Sequence, residues 1–275
     1  MNTPQISVIM GTYNPCLEEL NRAVCSILSQ TFTSWELLIC DDGSSSEVFA
    51  KIKDLEKLDD RIKCIRCDKN SGLSAALNKC IDNSAGMYLA RMDDDDISLP
   101  DRLTKQYDFL EQNDIYDWVG CEADLFDDDC IWGRASRPEK PDCKSFLHSS
   151  PFIHPSVMFR RRVFDNNTRY NVSKITSRCE DYELFMRLYS KGLIGYNLKE
   201  VLLQYKEDGK LLKRSMKYCF YEMLIRIQGY KRLGLLHLLH IPYVFKPIAV
   251  GLIAQFPGFA QKIRTNRTEG DHIVS

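Results

Sequence analysis

Four short apolar runs, at residues 6–10, 35–40, 62–67 and 87–92, are separated by stretches whose apolar side chains recur at helical spacing. Leu17, Leu20, Val24, Ile27 and Leu28 fall on one face of a first helix, and Leu73, Ala76, Leu77, Cys80 and Ile81 on one face of another. Strands that are apolar along their length and alternate with amphipathic helices bury both of their faces, which is the pattern of a parallel sheet covered by helices. The expected fold class is therefore α/β, a Rossmann-like, mostly parallel sheet flanked by helices. Ligands of such sheets gather beyond the carboxyl ends of the strands. The residues that follow each apolar run are the first candidates for chemistry.

Two of those ends are acidic: Asp41-Asp42-Gly43-Ser44, and Asp93-Asp94-Asp95-Asp96. Stability alone does not explain a buried strand that ends in four carboxylates, because like charges repel and desolvate poorly. A bound hard cation removes the conflict. Mg²⁺ or Mn²⁺ takes oxygen ligands and commonly bridges one or two carboxylates to a diphosphate. The competing reading of the same run is a solvated turn that caps the helix beginning near Pro100. A further acidic run, Asp127-Asp128-Asp129, joins strands expected at 118–126 and 130–134 and reads as a solvated hairpin turn, because no buried parallel strand precedes it.

Beyond the first hundred residues, Leu103, Tyr107 and Leu110 continue a helical period, 136–144 is a polar loop, and 154–159 is expected to be a strand entered through Pro155. Residues 180–191 read as a helix with acids in its first turn and Gly192 at its end. From Met216 the chain turns to helices rich in Leu, Tyr and Ile, and the apolar stretch 233–259 is broken by His237, His240, Pro242, Lys246, Pro247 and Pro257. Crossing a bilayer needs ~20 apolar residues with few breaks, so helices lying on a membrane surface are expected, with Lys231, Arg232, Lys246, Lys262, Arg264 and Arg267 facing anionic headgroups. The alternative is a packed helical lobe with a solvated tail. The expected organisation is a catalytic domain over 1–212, a helical, membrane-associating lobe over 213–263 and a tail over 264–275.

A formal charge of −1 gives no global field for polyanions, so nucleic acid is not an expected partner. Eleven cysteines without framework spacing fit a reducing compartment, and Cys64 and Cys67 are expected to be structural thiols. The chain opens on a strand rather than a basic and then apolar leader, from which a cytoplasmic location, peripheral on the inner face of the cell membrane, is expected.

An ordered set of motifs resembles the family 2 glycosyltransferases of GT-A fold, of the kind that build bacterial surface polysaccharides such as O-antigen. Ser7-Val8-Ile9-Met10-Gly11-Thr12-Tyr13-Asn14 resembles the family's first strand and donor loop, and Ser29-Gln30-Thr31-Phe32 the end of the following helix. Asp41-Asp42-Gly43-Ser44 is similar to its base-binding turn, and Asn70-Ser71-Gly72-Leu73 with Ala75-Ala76-Leu77-Asn78 to the helix beside the nucleotide. Ala90-Arg91-Met92-Asp93-Asp94-Asp95-Asp96 resembles its metal motif, followed by Pro100, Arg102-Leu103 and Gln106. His154-Pro155 and Glu180-Asp181-Tyr182-Glu183-Leu184 complete the series over positions 5 to 190. The family more often has a small residue where Asp94 stands.

The resemblance implies that Thr12, Tyr13 and Asn14 line the donor pocket and that Asp41 or Asp42 meets the nucleobase. It implies Asp93 at the ribose or the metal, Asp94 beside the donor, Asp95 on the metal, and Asp96 positioning the sugar. A general base must take the proton of the acceptor hydroxyl as that oxygen attacks C1. The resemblance assigns this to Asp181, with Glu180 as the competitor. His154 is either a hydrogen-bonded structural histidine or a contact to the diphosphate or acceptor, and Arg91 is expected to be an ion-pair partner. The implied activity is metal-dependent, inverting transfer of one hexose, Gal or Glc, from a UDP-sugar to a lipid-linked acceptor of the undecaprenyl-diphosphate N-acetylhexosamine type, forming a β-linkage. Processive synthesis is disfavoured by the absence of a Gln-x-x-Arg-Trp sequence. Gly11-Thr12-Tyr13-Asn14-Pro15 is not the Gly- and Lys-rich loop of a nucleotidyltransferase, and the Glu180-Asp181 pair argues against a protein that only binds sugar nucleotides.

Overall fold

The computed structural model describes residues 3–127, 130–165, 167–207 and 215–255. In chain order the elements are β1 (Ile6–Thr12), α1 (Leu17–Leu28), β2 (Trp35–Asp41), α2 (Ser46–Lys53), β3 (Ile62–Arg66), α3 (Leu73–Asn83), β4 (Tyr88–Arg91), β5 (Ile97–Ser98), α4 (Arg102–Gln112), β6 (Trp118–Phe126), β7 (Ile131–Ala135), β8 (Met158–Arg160), α5 (Glu180–Tyr189), β9 (Gly195–Lys206), α6 (Met216–Arg232) and α7 (Ile241–Ile253). One sheet runs in the order β3-β2-β1-β4-β8-β6-β9-β5, with β7 paired to β6. The expected parallel arrangement holds for β3, β2, β1 and β4 and recurs where β6 meets β9. Antiparallel pairs take over at β8, β7 and β5, so the sheet as a whole is mixed.

Every residue of β1, β2 and β4 is buried, as strands covered on both faces require. Alternation divides their side chains. Ile9, Leu38 and Leu89 enter a cluster with α3 and α5, while Val8, Leu37 and Ala90 enter another with α1 and α4. The α3 helix lies so close to β1 that a Cβ on Gly11 would stand 2.8 Å from Leu73 Cδ1. The donor-loop end of β1 and the start of α3 are thereby held together.

The expected strand over 154–159 is corrected: His154–Ser156 forms a 3-10 turn, and only Met158–Arg160 pairs with β4 and β6. Pro155, with its fixed φ and missing N–H, suits the first positions of a helical turn, and Ser156 N–H closes that turn on the Ile153 carbonyl at 3.0 Å. The strands expected around the third acidic run form an antiparallel hairpin, whose Asp128 and Asp129 lie outside the described residues.

The helix α6 docks on α5, and α7 packs on α6. A Cβ on Gly229 would meet Met186 Sδ at 2.2 Å, and Ile225, Tyr230 and Val244 share a buried cluster with Phe146 and Tyr182. Arg226, nearly fully buried, donates to Glu222, to the Leu147, His148 and Tyr243 carbonyls and to the Tyr230 hydroxyl. Among the described residues no helix is long and apolar enough to cross a membrane. Lys262, Arg264, Arg267 and the expected tail lie outside the described residues.

Candidate active site

Three strand ends and one helix start converge. Where β1 ends, the Thr12 carbonyl accepts from Asp42 N–H at 2.8 Å, and Asn14 N–H donates to Ser44 Oγ at 2.8 Å. Asn14 sits at φ 47°, a left-handed conformation that Asn tolerates better than most residues. Tyr13 is half exposed at the mouth of this loop. Gly43 at φ 83° lets the β2 turn lie against residues 69 and 70, where a Cβ would stand 2.6 Å from the Lys69 carbonyl carbon.

Both acids of that turn have protein partners. The Asp41 carboxylate is fully buried, accepts from Ser44 N–H at 3.2 Å through each oxygen and lies 3.4 Å from Arg66 Nε. Asp42 accepts from Ser71 N–H at 2.9 Å and Gly72 N–H at 2.7 Å, which caps the start of α3.

Beyond β4 the acidic run is packed rather than splayed into solvent. Arg91 stands on the same face of β4 as Leu89, and its Nη2 meets Asp93 Oδ1 at 2.5 Å with only 2% of its side chain exposed. Burial opposes the guanidinium charge there, but the Asp93 carboxylate more than offsets it, so Arg91 stays ionised. Asp94 accepts from the Thr12 hydroxyl at 2.5 Å, linking the metal-motif turn to the donor loop. Burial, reinforced by Asp93, raises the Asp94 carboxyl above the usual range. Burial and then repulsion from Asp93 and Asp94 push Asp95 up to about 7. Asp96 is fully buried and accepts from Lys206 N–H at 2.9 Å through Oδ1, while its Oδ2 has no hydrogen-bond partner. Burial and its acidic neighbours raise it strongly. Oxygens of Asp93, Asp95 and Asp96 lie within 4.8 Å of one another. An all-oxygen set with one buried lone-pair edge unsatisfied fits a hard divalent cation.

The opposite wall is the start of α5. Burial pushes Glu180 up to about 7, with Asp181 adding repulsion. Burial also raises Asp181, against which the nearby Tyr182 N–H and Ser150 hydroxyl act in the opposite direction. His154 Nε2 and the Tyr170 hydroxyl share a hydrogen bond of 2.8 Å, and burial together with nearby Arg91 pushes the imidazole well below its usual range, keeping it neutral. Asn78 fixes Tyr170 from the other side, donating to its carbonyl at 2.9 Å and accepting from its N–H at 2.8 Å. The Arg91 charge is felt at Glu180 and Asp181 as well as at Asp96, where it favours the ionised carboxylate.

The sequence profile described as Glycosyl transferase family 2 matches residues 7–169. The chain belongs to this family. EpsE of Bacillus subtilis (strain 168), which is named for glycosyl transfer, is 37% identical over 247 residues, covering 89% of this chain and 88% of its own. WfgD of Escherichia coli is 32% identical over 249 residues, 82% of this chain and 94% of its own, and is named as a UDP-Glc:alpha-D-GlcNAc-diphosphoundecaprenol beta-1,3-glucosyltransferase. The solved structure of S. aureus TarS residues 1–349 in complex with UDP-GlcNAc superposes with a TM-score of 0.65 over 92% of this chain and 73% of that one, at 16% identity. This family 2 chain is thus a glycosyltransferase on a GT-A fold.

In the glycosyltransferase, Thr12, Asn14, Asp41, Asp42 and Asp93 to Asp96 meet at neighbouring strand ends, and Glu180, Asp181 and His154 close the same crevice. Several motif residues instead serve as internal ties. Gln30, buried at the end of α1, donates to the Leu99 carbonyl at 2.8 Å and accepts from Leu103 N–H at 3.0 Å. Arg102 donates to the Arg91 carbonyl at 2.6 Å, and Gln106 donates to the Ser156 carbonyl at 2.7 Å, which fixes the acidic turn and the His154 turn on one support. Sequence reasoning missed Ser150 and Tyr170, which lie in loops without periodicity. It named Arg91 only as an ion-pair partner, although a cation one residue beyond Ala90 on a buried strand was the available signal.

Proposed function

We propose that the chain transfers one hexose, Glc or Gal, from a UDP-sugar to an N-acetylhexosamine carried on a lipid diphosphate, with inversion to a β-glycoside. The observation that carries this reading is the pairing, across one crevice, of an oxygen-only acidic cluster with a second carboxylate pair at a helix start. The name of WfgD supplies the donor and acceptor class by analogy at 32% identity. Asp93, Asp95 and Asp96 would hold Mg²⁺ or Mn²⁺. Bound there, the cation would neutralise the charge that builds on the departing UDP, which is typically worth several kcal/mol.

Thr12, Tyr13 and Asn14 form the donor side, with Asp41 and Asp42 setting the turn against which the base lies and Asp94 bracing the loop through Thr12. Asp181 takes the acceptor proton. Its contacts with Ser150 and Tyr182 orient it, and its raised affinity for protons suits a base working near neutral pH. Glu180 beside it tunes that charge, and His154 borders the acceptor side.

The protein works at the cytoplasmic face of the membrane, where lipid-linked intermediates of surface polysaccharides lie. Leu238 and Leu239 are more than four-fifths exposed, and Phe245 is half exposed, on a segment that also carries Lys246 and follows the exposed Lys231. Apolar side chains accompanied by cations suit an anionic bilayer surface. We expect wild type to sediment with anionic vesicles and Leu238→Asp/Leu239→Asp to remain in the supernatant; equal partition of both would refute membrane docking through this face.

Incubation with UDP-Glc or UDP-Gal, Mn²⁺ and a lipid-diphosphate N-acetylhexosamine should release UDP and yield a β-linked product by NMR. Asp181→Asn should lose ~10²–10⁴-fold in kcat while still binding UDP, the range for removal of a general base. An active Asp181→Asn with an inactive Glu180→Gln would move the role to Glu180.

A further inference from the structure

A second concavity, of about 440 Å³, lies between residues 136–138 and 142–151 and is lined by Arg137, Lys144, Ser145, His148 and Ser149 among others. Its one acidic lining residue, Asp142, already accepts from Ser145 N–H and Oγ at 2.9 Å each in a capping box. Lys246 Nζ reaches the His148 carbonyl at 3.1 Å and adds a cation to the border of the groove, while Lys199, whose Nζ reaches the Arg137 carbonyl at 3.0 Å, is paired with Glu122 at 3.3 Å. The groove is basic on a chain whose formal charge is −1.

Its two ends lead to different chemistry. Ser149 and Pro151 of its wall flank Ser150, whose hydroxyl donates to the Phe152 carbonyl at 3.2 Å and lies close enough to Asp181 to favour its charged form. At the other end the His148 ring meets Tyr243 of α7 edge-on at 5.2 Å between centroids. From α7 and the turn before it, Leu238, Leu239, Ile241 and Phe245 present an exposed apolar surface. Carboxylate, cationic groove and apolar face thus follow one another along the molecule.

We propose that this groove binds the diphosphate of the acceptor, with the lipid chain continuing over the apolar face of residues 238–253. This rests on the acceptor class proposed above and adds a location for it. The sugar hydroxyl reaches Asp181, one residue from the groove wall. The phosphate oxygens take Arg137, Lys144 and the Ser149 hydroxyl, which supply charge-assisted hydrogen bonds to anionic oxygen. The first isoprene units leave past His148 and Tyr243 for the membrane surface, so the device that anchors the protein also orients its substrate.

The test uses the full chain with UDP and Mn²⁺ saturating, so that the donor crevice cannot take up the probe. Titration calorimetry with geranyl diphosphate should then detect binding, weakened in Lys144→Ala, whose exposed side chain can be lost with the melting temperature at the wild-type value, and weakened about tenfold or more in Arg137→Ala/Lys144→Ala. In the transfer assay the double variant should show a similar rise in KM for the lipid-diphosphate acceptor, with KM for the UDP-sugar unchanged. Absence of geranyl diphosphate binding in the UDP-bound wild type, or equal affinity in the double variant, overturns the proposal. Binding at the groove by a protein that transfers from no UDP-hexose would instead overturn the reaction and leave the groove standing.

Discussion

Replacing Arg91 by Met removes a guanidinium that pairs with Asp93 and whose charge is felt at Glu180 and Asp181. The pair it forms with Asp93, at 2.5 Å with exposures of 2% and 24%, is buried on the arginine side and partly wet on the other. Removing one partner of a buried pair costs about 3–5 kcal/mol, and the water reaching Asp93 puts this case near the lower figure, about 3 kcal/mol. For a chain of this size that is a fall in Tm of roughly 6–10 °C. The loss should depend on pH with a definite sign. Asp95 is raised from 3.8 to about 7, so it holds its proton in the fold; that stability is complete below the unfolded pKa and disappears as pH rises through the folded one, a window of about 4 to 7. Glu180, at about 7, behaves in the same way. At pH 5 Asp95 and Glu180 are neutral and the penalty should be that of unpairing Asp93; at pH 8 they are charged as well and the penalty should be larger. Saturating Mn²⁺ should restore much of it, because a cation returns to the cluster. Urea unfolding at both pH values, with and without Mn²⁺, measures each quantity. An equal deficit under all four conditions would refute the coupling of Arg91 to Asp95, Glu180 and the cation site.

Apparent metal affinity should fall roughly tenfold per pH unit for each proton displaced as pH drops below about 7, since Asp95 must lose its proton to bind, and titration of Mn²⁺ between pH 5.5 and 8 reads this directly. Gly43→Ala puts a Cβ 2.6 Å from backbone at a φ of 83°, so a loss of about 1–3 kcal/mol in stability and a raised KM for the UDP-sugar are expected from urea unfolding and initial rates. Gln30→Ala orphans the buried Leu103 N–H, while the Leu99 carbonyl keeps its bond from Arg102 N–H, and should cost about 1–3 kcal/mol, with kcat near wild type where the variant is folded.

The parallel half of the fold was legible because β1, β2 and β4 are apolar throughout and α1 and α3 carry one apolar face each, signals that repeat within a few residues. The other half was not. β5 spans two residues and β8 three, too few for any period to register, and they become strands only because β9, β4 and β6 lie beside them. The turn at His154 was misjudged for a related reason: an apolar run after Pro155 matches a strand, while the hydrogen bonds that curl it come from Ser156 and Ile153 closing locally and from Gln106 fifty residues away.

The candidate site separates in the same manner, and the separation has a use. Carboxylate type and strand-end position were visible in the letters; which carboxylates are already engaged was not, because Thr12 finds Asp94 and Asp42 finds Gly72 across 82 and 30 residues. Once those partners are known, the motif residues divide by what they have left to offer. Gln30, Asn78, Asp42 and Gln106 spend their polar atoms inside the protein, so their substitution should be felt first in stability. Arg91 Nε and Nη1 and Asp96 Oδ2 are buried without hydrogen-bond partners, a costly arrangement in a finished fold. Both residues border the acidic cluster. Arg102 Nη1, Trp118 Nε1 and Asn197 Oδ1 share that condition, so an unsatisfied atom does not by itself locate a site; at Arg91 and Asp96 it coincides with the acidic run, where charge arriving with a substrate would account for it.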